Sequence, residues 1–263
     1  EESGCLRDMI QNHTMQLLAL TAMEPPGSLD AEAIRDEKVK VLKAIQPLTI
    51  GPAGDVARAQ YAGGMVVGKP VPGYLEEDGI AVQSGTETYA AMRLSINNWR
   101  WQGVPFFLRT GKRLPERRSE IVIQFKPVPH NVFRDRGGKL EANTLIIRLQ
   151  PEEYVRLLVM AKKPGLDRGG VTLREVPLDL SLTAAFAGSR RRIAYERLLL
   201  DLIEGDQTLF VRRDEVEAQW GWVDAIRALW GVTGLKPKAY GAGNWGPNAA
   251  IALTERDGVS WHE

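Results

Sequence analysis

Cysteine occurs once in this chain, at position 5, which excludes an internal disulfide and any Cys-rich metal site. That usage fits a reducing compartment. Histidine is almost as scarce: His13, His130 and His262 stand far apart, with no second ligand at metal spacing. Excess charge of one sign is missing too. Across 263 residues, 34 basic and 33 acidic side chains leave +1, so the molecule as a whole carries no electrostatic footprint for nucleic acid. No apolar run reaches the roughly 20 residues that a membrane-spanning helix needs. The first residues, Glu1-Glu2-Ser3-Gly4, lack the cationic and apolar regions of a signal peptide, and a cytoplasmic location is expected. Also missing are a strand–Gly-rich turn–helix dinucleotide fingerprint, a nucleophile elbow, a Walker loop and a recognisable acid–base pair. By its own residues the chain reads as a binding and assembly unit with at most half a site.

What is present describes an ordinary globular chain, 44% apolar and 25% charged, long enough to bury a substantial core. Seven tryptophans, at 99, 101, 220, 222, 230, 245 and 261, call for large buried surfaces or a sizeable subunit interface. Leu6, Met9, Ile10, His13, Leu17 and Leu20 recur at helical spacing over 5–23, and Pro25-Pro26-Gly27 stops that element. His13 among these apolar residues reads as a packed or hydrogen-bonded histidine rather than a catalyst. Ser28 or Asp30 can cap a second helix running to Pro47, its acids mostly N-terminal to its lysines. That charge run reads as a solvated face.

Ten glycines and prolines between 51 and 79 break any long regular element, so 51–85 is expected as an irregular arm, with room for a short helix near Asp55. Beyond Gly85 the period falls to two. Strands are predicted at 89–96, 104–109, 121–125, 145–150 and 155–160, with one or two more in 171–183. They follow one another without intervening helical patterns, which argues for antiparallel pairing. Helical spacing returns with Ile193, Tyr195, Leu198, Leu199 and Leu202, then with Val216, Trp220, Val223, Ile226 and Trp230, and a short helix is expected at 248–255. Asp214 with Glu217 resembles a capping box. The fold class is α+β: a large, mostly antiparallel β-sheet flanked by helices, taken as one domain over 1–263.

The stretch 104–118 stands out. An apolar run ends at Arg109, a glycine turn presents Lys112, and Arg113, Arg117 and Arg118 follow, five cations in ten residues against the single anion Glu116. Such charges face water or a partner, because burying them unpaired is prohibitive. A lysine point charge with arginine forks suits a small phosphate or carboxylate. A charged loop that keeps the surface soluble is the bland alternative.

Several ordered strings then point one way: Arg7-Asp8-Met9-Ile10-Gln11-Asn12-His13, Arg35-Asp36-Glu37-Lys38-Val39-Lys40-Val41-Leu42-Lys43, Thr86-Glu87-Thr88-Tyr89-Ala90-Ala91, Asn98-Trp99-Arg100-Trp101-Gln102-Gly103-Val104-Pro105-Phe106, Leu108-Arg109-Thr110-Gly111-Lys112-Arg113-Leu114 and Ala194-Tyr195-Glu196-Arg197-Leu198-Leu199-Leu200-Asp201. With them the chain resembles, over nearly its whole length, the C-terminal portion of glucose-6-phosphate dehydrogenase. The resemblance implies a β+α domain whose sheet packs against a partner in a homodimer or dimer of dimers. It implies oxidation of D-glucose 6-phosphate at C1 to the 6-phosphogluconolactone, the first step of the oxidative pentose phosphate pathway. NADP is the coenzyme, bound mainly by an N-terminal domain outside this chain.

The same resemblance implies that the proton-abstracting His–Asp pair and a Lys-Pro motif lie upstream. No catalytic residue is therefore expected here, His13 is not promoted, and the isolated chain is expected to be inactive. Lys112, Arg117 and Gln150 match residues near the sugar or its phosphate. Arg109, Arg118 and Arg148 match positions lining a second, structural NADP site in some animal members, but Val155 or Arg156 and Leu158 replace aromatic and lysine positions of that site. Neither nucleic acid nor membrane is expected as a partner. An alternative of another class is a stand-alone, non-catalytic assembly or regulatory protein of the same fold.

Overall fold

The computed structural model describes residues 3–51, 54–133, 140–165, 172–188 and 194–263. Ile193, assigned above to a helical stripe, and part of the loop 127–138 lie outside them. In chain order the elements begin with a π-helical segment, Leu6–Thr14, running into α1 (Met15–Ala22), then α2 (Ala31–Ala44). Next come β1 (Val56–Ala62), β2 (Gly64–Val66), β3 (Lys69–Val71), a 3-10 turn at Tyr74–Glu76, β4 (Tyr89–Ser95) and β5 (Pro105–Gly111). Four further strands follow: β6 (Ser119–Gln124), β7 (Thr144–Gln150), β8 (Tyr154–Lys162) and β9 (Leu173–Ser181). The chain ends with α3 (Leu182–Ala185), α4 (Ala194–Glu204), α5 (Arg213–Thr233), β10 (Lys238–Gly241) and α6 (Asn248–Glu255). The class is α+β. Within the span expected as one domain the chain forms two compact units, one of 1–115 with 192–261 and 263, the other of 116–191 with 262.

In the first unit a four-stranded sheet runs β10-β1-β4-β5. Its β1–β4 and β4–β5 pairs are antiparallel, and β1 pairs in parallel with β10. Strand β4 is covered on both faces. Ala90, Met92, Leu94 and Ile96 point into one cluster with Leu6, Ile10, Met15 and Leu18 of the first helices, Val41 and Leu42 of α2, and Val223, Ile226 and Trp230 of α5. Tyr89 and Ala91 point the other way, into a cluster with Ala57, Ala59, Tyr61, Tyr74, Tyr240 and Leu253. Each fully buried Leu, Ile or Met contributes roughly 1.5–3 kcal/mol, so β4 anchors the unit twice.

Residues 51–85 are not irregular throughout, and no helix forms at Asp55. β1 begins at Val56, with Ala57, Ala59 and Tyr61 inward and Arg58 and Gln60 between them. Small inward residues fit because β4 and α6 approach closely, and that period-two pattern was hidden by the surrounding glycines and prolines. β2 and β3 form a hairpin closed by Val67 and Gly68, both at positive φ, as a two-residue type I′ turn requires. Two helix starts also differ from expectation. Asp30 is the N-cap of α2, yet its carboxylate accepts from the Ser28 hydroxyl instead of a helix N–H. The box at α5 uses Glu215, whose Oε1 accepts from the Arg212 N–H at 2.9 Å, not Glu217 with Asp214.

The second unit is an antiparallel meander, β6-β7-β8-β9. Register places Ile121, Ile123, Leu145, Ile147, Val155, Leu157, Leu178 and Leu180 on one face. All eight are partly or fully exposed, and Ile146 is this unit's only buried hydrophobic among the described residues.

Candidate functional site

The turn that follows β5 is built to hold Lys112 outward. Gly111 sits opposite Tyr89 in the sheet register, and a Cβ on it would lie 2.6 Å from the Tyr89 ring and 3.1 Å from Leu114. Only glycine fits there. The Lys112 N–H donates to the Thr88 carbonyl at 2.9 Å and the Gly243 N–H to the Arg113 carbonyl at 2.7 Å. Tyr240 donates its hydroxyl proton to the Lys112 carbonyl at 2.5 Å. With the backbone so fixed, the Lys112 side chain projects into solvent, its Nζ 3.8 Å from Asp8 Oδ2.

Asp8 comes from the π-helical segment, and the π geometry decides what that segment displays. Hydrogen bonds from i to i+5 widen the turn, so residues four and five apart share a side. Leu6, Ile10 and Gln11 therefore face inward and are buried, whereas Asp8, Asn12 and His13 face outward and are exposed. His13 is accordingly not packed among apolar residues, as a 3.6-residue template suggests. Its Nε2 stands 3.4 Å from Asn12 Nδ2 at the surface. Glu87 holds the start of this segment: its carboxylate accepts from the Leu6 N–H at 3.0 Å and its carbonyl from the Cys5 N–H at 3.0 Å. The adjacent residues Glu87 and Thr88 thus tether helix and turn together, one side of a site bearing Asp8, Asn12, His13 and Lys112. Cys5 lies beneath. Burial, then the nearby Glu87 charge, push its thiol well above the usual range, leaving it unreactive.

The other cations predicted from the 104–118 stretch are differently employed. In the first unit the Arg109 guanidinium lies 4.9 Å from the Trp245 ring and 4.6 Å from the Trp261 ring, with Glu263 at 3.2 Å. Arg113 binds Glu77 at 3.1 Å. In the second unit Arg118 and Arg148 both reach Glu120, at 3.4 and 2.9 Å, and Arg118 also donates to the His262 carbonyl at 2.6 Å. Glu120 further meets His262 Nδ1 at 2.9 Å. These two arginines converge on an internal carboxylate instead of an open cradle, and Arg156 is held by Asp179 at 2.5 Å. Arg117 is exposed at the start of the second unit, and Gln150 is exposed at the end of β7. Sequence reasoning missed Asp8, Glu87, Thr88 and Tyr240 as parts of the Lys112 site. The only sequence signal for the first three was their membership of the strings shared with the family.

Among the described residues there is no cluster of three or more metal-ligating side chains, and no helix is long and apolar enough to cross a membrane. The parallel strand β10, paired with β1, does lead through Gly241-Ala242-Gly243-Asn244-Trp245-Gly246 into α6, but these glycines serve packing. The Ala242, Gly243 and Asn244 N–H groups donate to the Ala62, Arg113 and Gly241 carbonyls, and a Cβ on Gly243 or Gly246 would strike the Met65 carbonyl or the Tyr89 ring. Those three amides are therefore not free for a pyrophosphate.

Residues 1–262 match the family model described as glucose-6-phosphate dehydrogenase, C-terminal domain. The chain is 58% identical over 262 residues to a glucose-6-phosphate 1-dehydrogenase of Zymomonas mobilis and 55% identical over 264 residues to one of Rhizobium meliloti. It is covered to 99% and 100% in these alignments, yet spans only 54% and 53% of those relatives, about half their length. A solved glucose-6-phosphate dehydrogenase in complex with its substrate glucose 6-phosphate superposes with a TM-score of 0.87 at 36% identity, over 99% of this chain and 52% of that one. The Mycobacterium avium enzyme gives 0.79 at 35% identity, over 99% and 51%. Shared sequence and shared architecture agree along the full length, and the chain belongs to the glucose-6-phosphate dehydrogenase family as its C-terminal domain.

Proposed function

We propose that this chain supplies the sugar-phosphate side of an enzyme that oxidises D-glucose 6-phosphate at C1 to 6-phospho-D-glucono-1,5-lactone with reduction of NADP. The observation that carries this reading is Lys112, an exposed cation whose own N–H and carbonyl are both held, with the next carbonyl of the turn, that of Arg113, held as well. Among the described residues it is faced by the single carboxylate of Asp8. A phosphate dianion competes well for such a group, and holding it fixes the sugar for reaction at C1. Arg117 as a further cation and Gln150 as a sugar contact are proposed on the family resemblance alone.

His13 is proposed as the base, which reverses the expectation that the base lies upstream. It is an exposed imidazole on the same π-helical face as Asp8, whose carboxylate meets Lys112. In its neutral form it can take the proton from the C1 hydroxyl as C1 gives up hydride. When bound, the oxidised nicotinamide supplies the hydride acceptor. The described residues do not form its cradle, so the isolated chain is expected to reduce no NADP.

The apolar face of the second unit's sheet supports a further proposal, a homodimer or dimer of dimers formed through it. Eight aliphatic side chains, paired across four strands and, among the described residues, partly or fully exposed, form a continuous patch of the kind that marks an interface.

The reading is tested by Lys112→Ala in the full-length polypeptide that carries this segment. Loss of one charge-assisted contact, worth about 1.5–3 kcal/mol, is expected to raise KM for glucose 6-phosphate by about 10- to 100-fold while KM for NADP stays put. An unchanged KM for the sugar phosphate refutes the reading.

A further inference from the structure

We propose that Tyr240 is a positioning residue for Lys112, an inference that rests on Lys112 being the sugar-phosphate cation. Tyr240 lies on β10, 128 residues away in sequence, and reaches the Lys112 carbonyl through its hydroxyl. Three residues later the same segment donates the Gly243 N–H to the next carbonyl, that of Arg113. Two consecutive carbonyls of the lysine turn are thus held from one strand end.

That hold opposes a real tendency to relax. Arg113 has φ of +54°, a left-handed conformation that residues bearing a side chain avoid. From its other side the turn is braced by Glu77, which accepts from Arg113 at 3.1 Å and from the Tyr61 hydroxyl at 2.6 Å. If the 112–113 peptide rotates, the Lys112 Cα–Cβ direction turns with it, and a four-carbon stem magnifies the error at Nζ.

Tyr240 also fills space. Its ring sits 5.2 Å from Tyr89 and 6.4 Å from Tyr61 in the aromatic cluster under the sheet, and it is 4% exposed. Among the described residues its hydroxyl meets only the Lys112 carbonyl and, at 3.5 Å, Thr88 Oγ1. Thr88 is itself the residue whose carbonyl takes the Lys112 N–H. Both partners of the hydroxyl therefore belong to the device that aims Lys112. A tyrosine needed for packing alone has no use for this geometry.

The experiment separates the two roles in the full-length polypeptide. Tyr240→Phe keeps the ring and removes the hydroxyl. The readout is the ratio of kcat/KM for glucose 6-phosphate to kcat/KM for glucose, which reports the phosphate contact and is unmoved by a loss of folded enzyme, since both constants scale together. We expect Tyr240→Phe to lower the ratio about tenfold, short of the ~100-fold that a 1 Å misplacement can cost. Lys112→Ala is expected to lower it at least as far. If Lys112→Ala leaves the ratio unchanged, the assignment of Lys112 fails and the inference falls with it. If Lys112→Ala lowers the ratio and Tyr240→Phe leaves it within about twofold, against the 10²-fold scale of misplacement, Tyr240 only fills space and the proposal is overturned.

Discussion

Inside the helical layer, Lys38 of α2 meets Glu215 of α5 at 2.5 Å, with side chains 8% and 0% exposed. The other oxygen of Glu215 accepts from the Arg212 N–H at the start of α5. Lys38→Met keeps most of the stem but strands a carboxylate in the interior. Breaking a buried pair from one side costs about 3–5 kcal/mol. Replacing both partners by apolar groups is often neutral, so the double variant Lys38→Met/Glu215→Met loses little beyond the cap at Arg212, about 1 kcal/mol. The double variant is therefore expected to be more stable than the single one. Urea unfolding of the 263-residue chain followed by tryptophan fluorescence checks this, because Trp220, Trp222 and Trp230 ride on α5. Equal losses in the single and double variants, or a single-variant loss below about 1 kcal/mol, far under the usual cost of a stranded charge, would refute the coupling.

Three other outcomes are expected. His13→Asn in the full-length polypeptide should lower kcat by about 10²- to 10⁴-fold, with KM for glucose 6-phosphate little changed; an unaltered kcat returns the base to a position upstream of this chain. Ile147→Lys with Leu157→Lys, on the exposed aliphatic face of the second sheet, should shift the assembly to monomer in solution by mass measurement, and persistence of the oligomer would exclude that face. Glu77 is held below its ordinary value of 4.5, first by the Tyr61 hydroxyl and then by Arg113. A depressed carboxylate contributes stability that is complete above its unfolded value and is lost as pH falls through the folded one. Stability of the parent should therefore drop more steeply than that of Glu77→Gln below about pH 4.5, and parallel acid limbs would remove Glu77 from the turn's support.

β4 and β6 through β8 were legible because aliphatic residues alternate along each in the sequence, although that alternation does not map onto burial: β4 is buried on both faces and β6 through β8 bury little beyond Ile146. So was α5, whose stripe of Val223, Ile226 and Trp230 is buried as spaced. β1 was not, since Ala57 and Ala59 are too small to register as a core pattern among glycines and prolines, although both are buried. The N-terminal helix was located, but His13 was turned to the wrong side: a template of 3.6 residues per turn has no place for the i+5 geometry that exposes it. Lys112 was legible as a presented charge from Gly111 and its cationic neighbours. Its supports were not, because Thr88 and Tyr240 are brought to it by sheet pairing across long stretches of chain. Local charge counting also misjudged Arg109 and Arg118, whose partners include Trp245, Trp261, Glu120 and His262.

The strength of the Lys112 contact depends on water more than on distance. Lys112 and Asp8 are 57% and 52% exposed at 3.8 Å, and unit charges about 4 Å apart interact by about 1 kcal/mol in bulk water. The same separation gives about 4 kcal/mol at an effective dielectric of about 20. A cation open to solvent is therefore easily released by Asp8 to an incoming dianion, yet holds that dianion weakly until solvent is excluded. For the isolated chain this means a Kd in the millimolar range, on the order of 4 kcal/mol. The binding should vanish near 1 M salt, where the Debye length shrinks to about 3 Å, and should be erased by Lys112→Ala. Isothermal titration with glucose 6-phosphate measures it. Binding tighter than about 1 μM, some 8 kcal/mol, would show that the isolated chain already encloses its ligand, and the view of Lys112 as one side of a cleft completed elsewhere would be wrong.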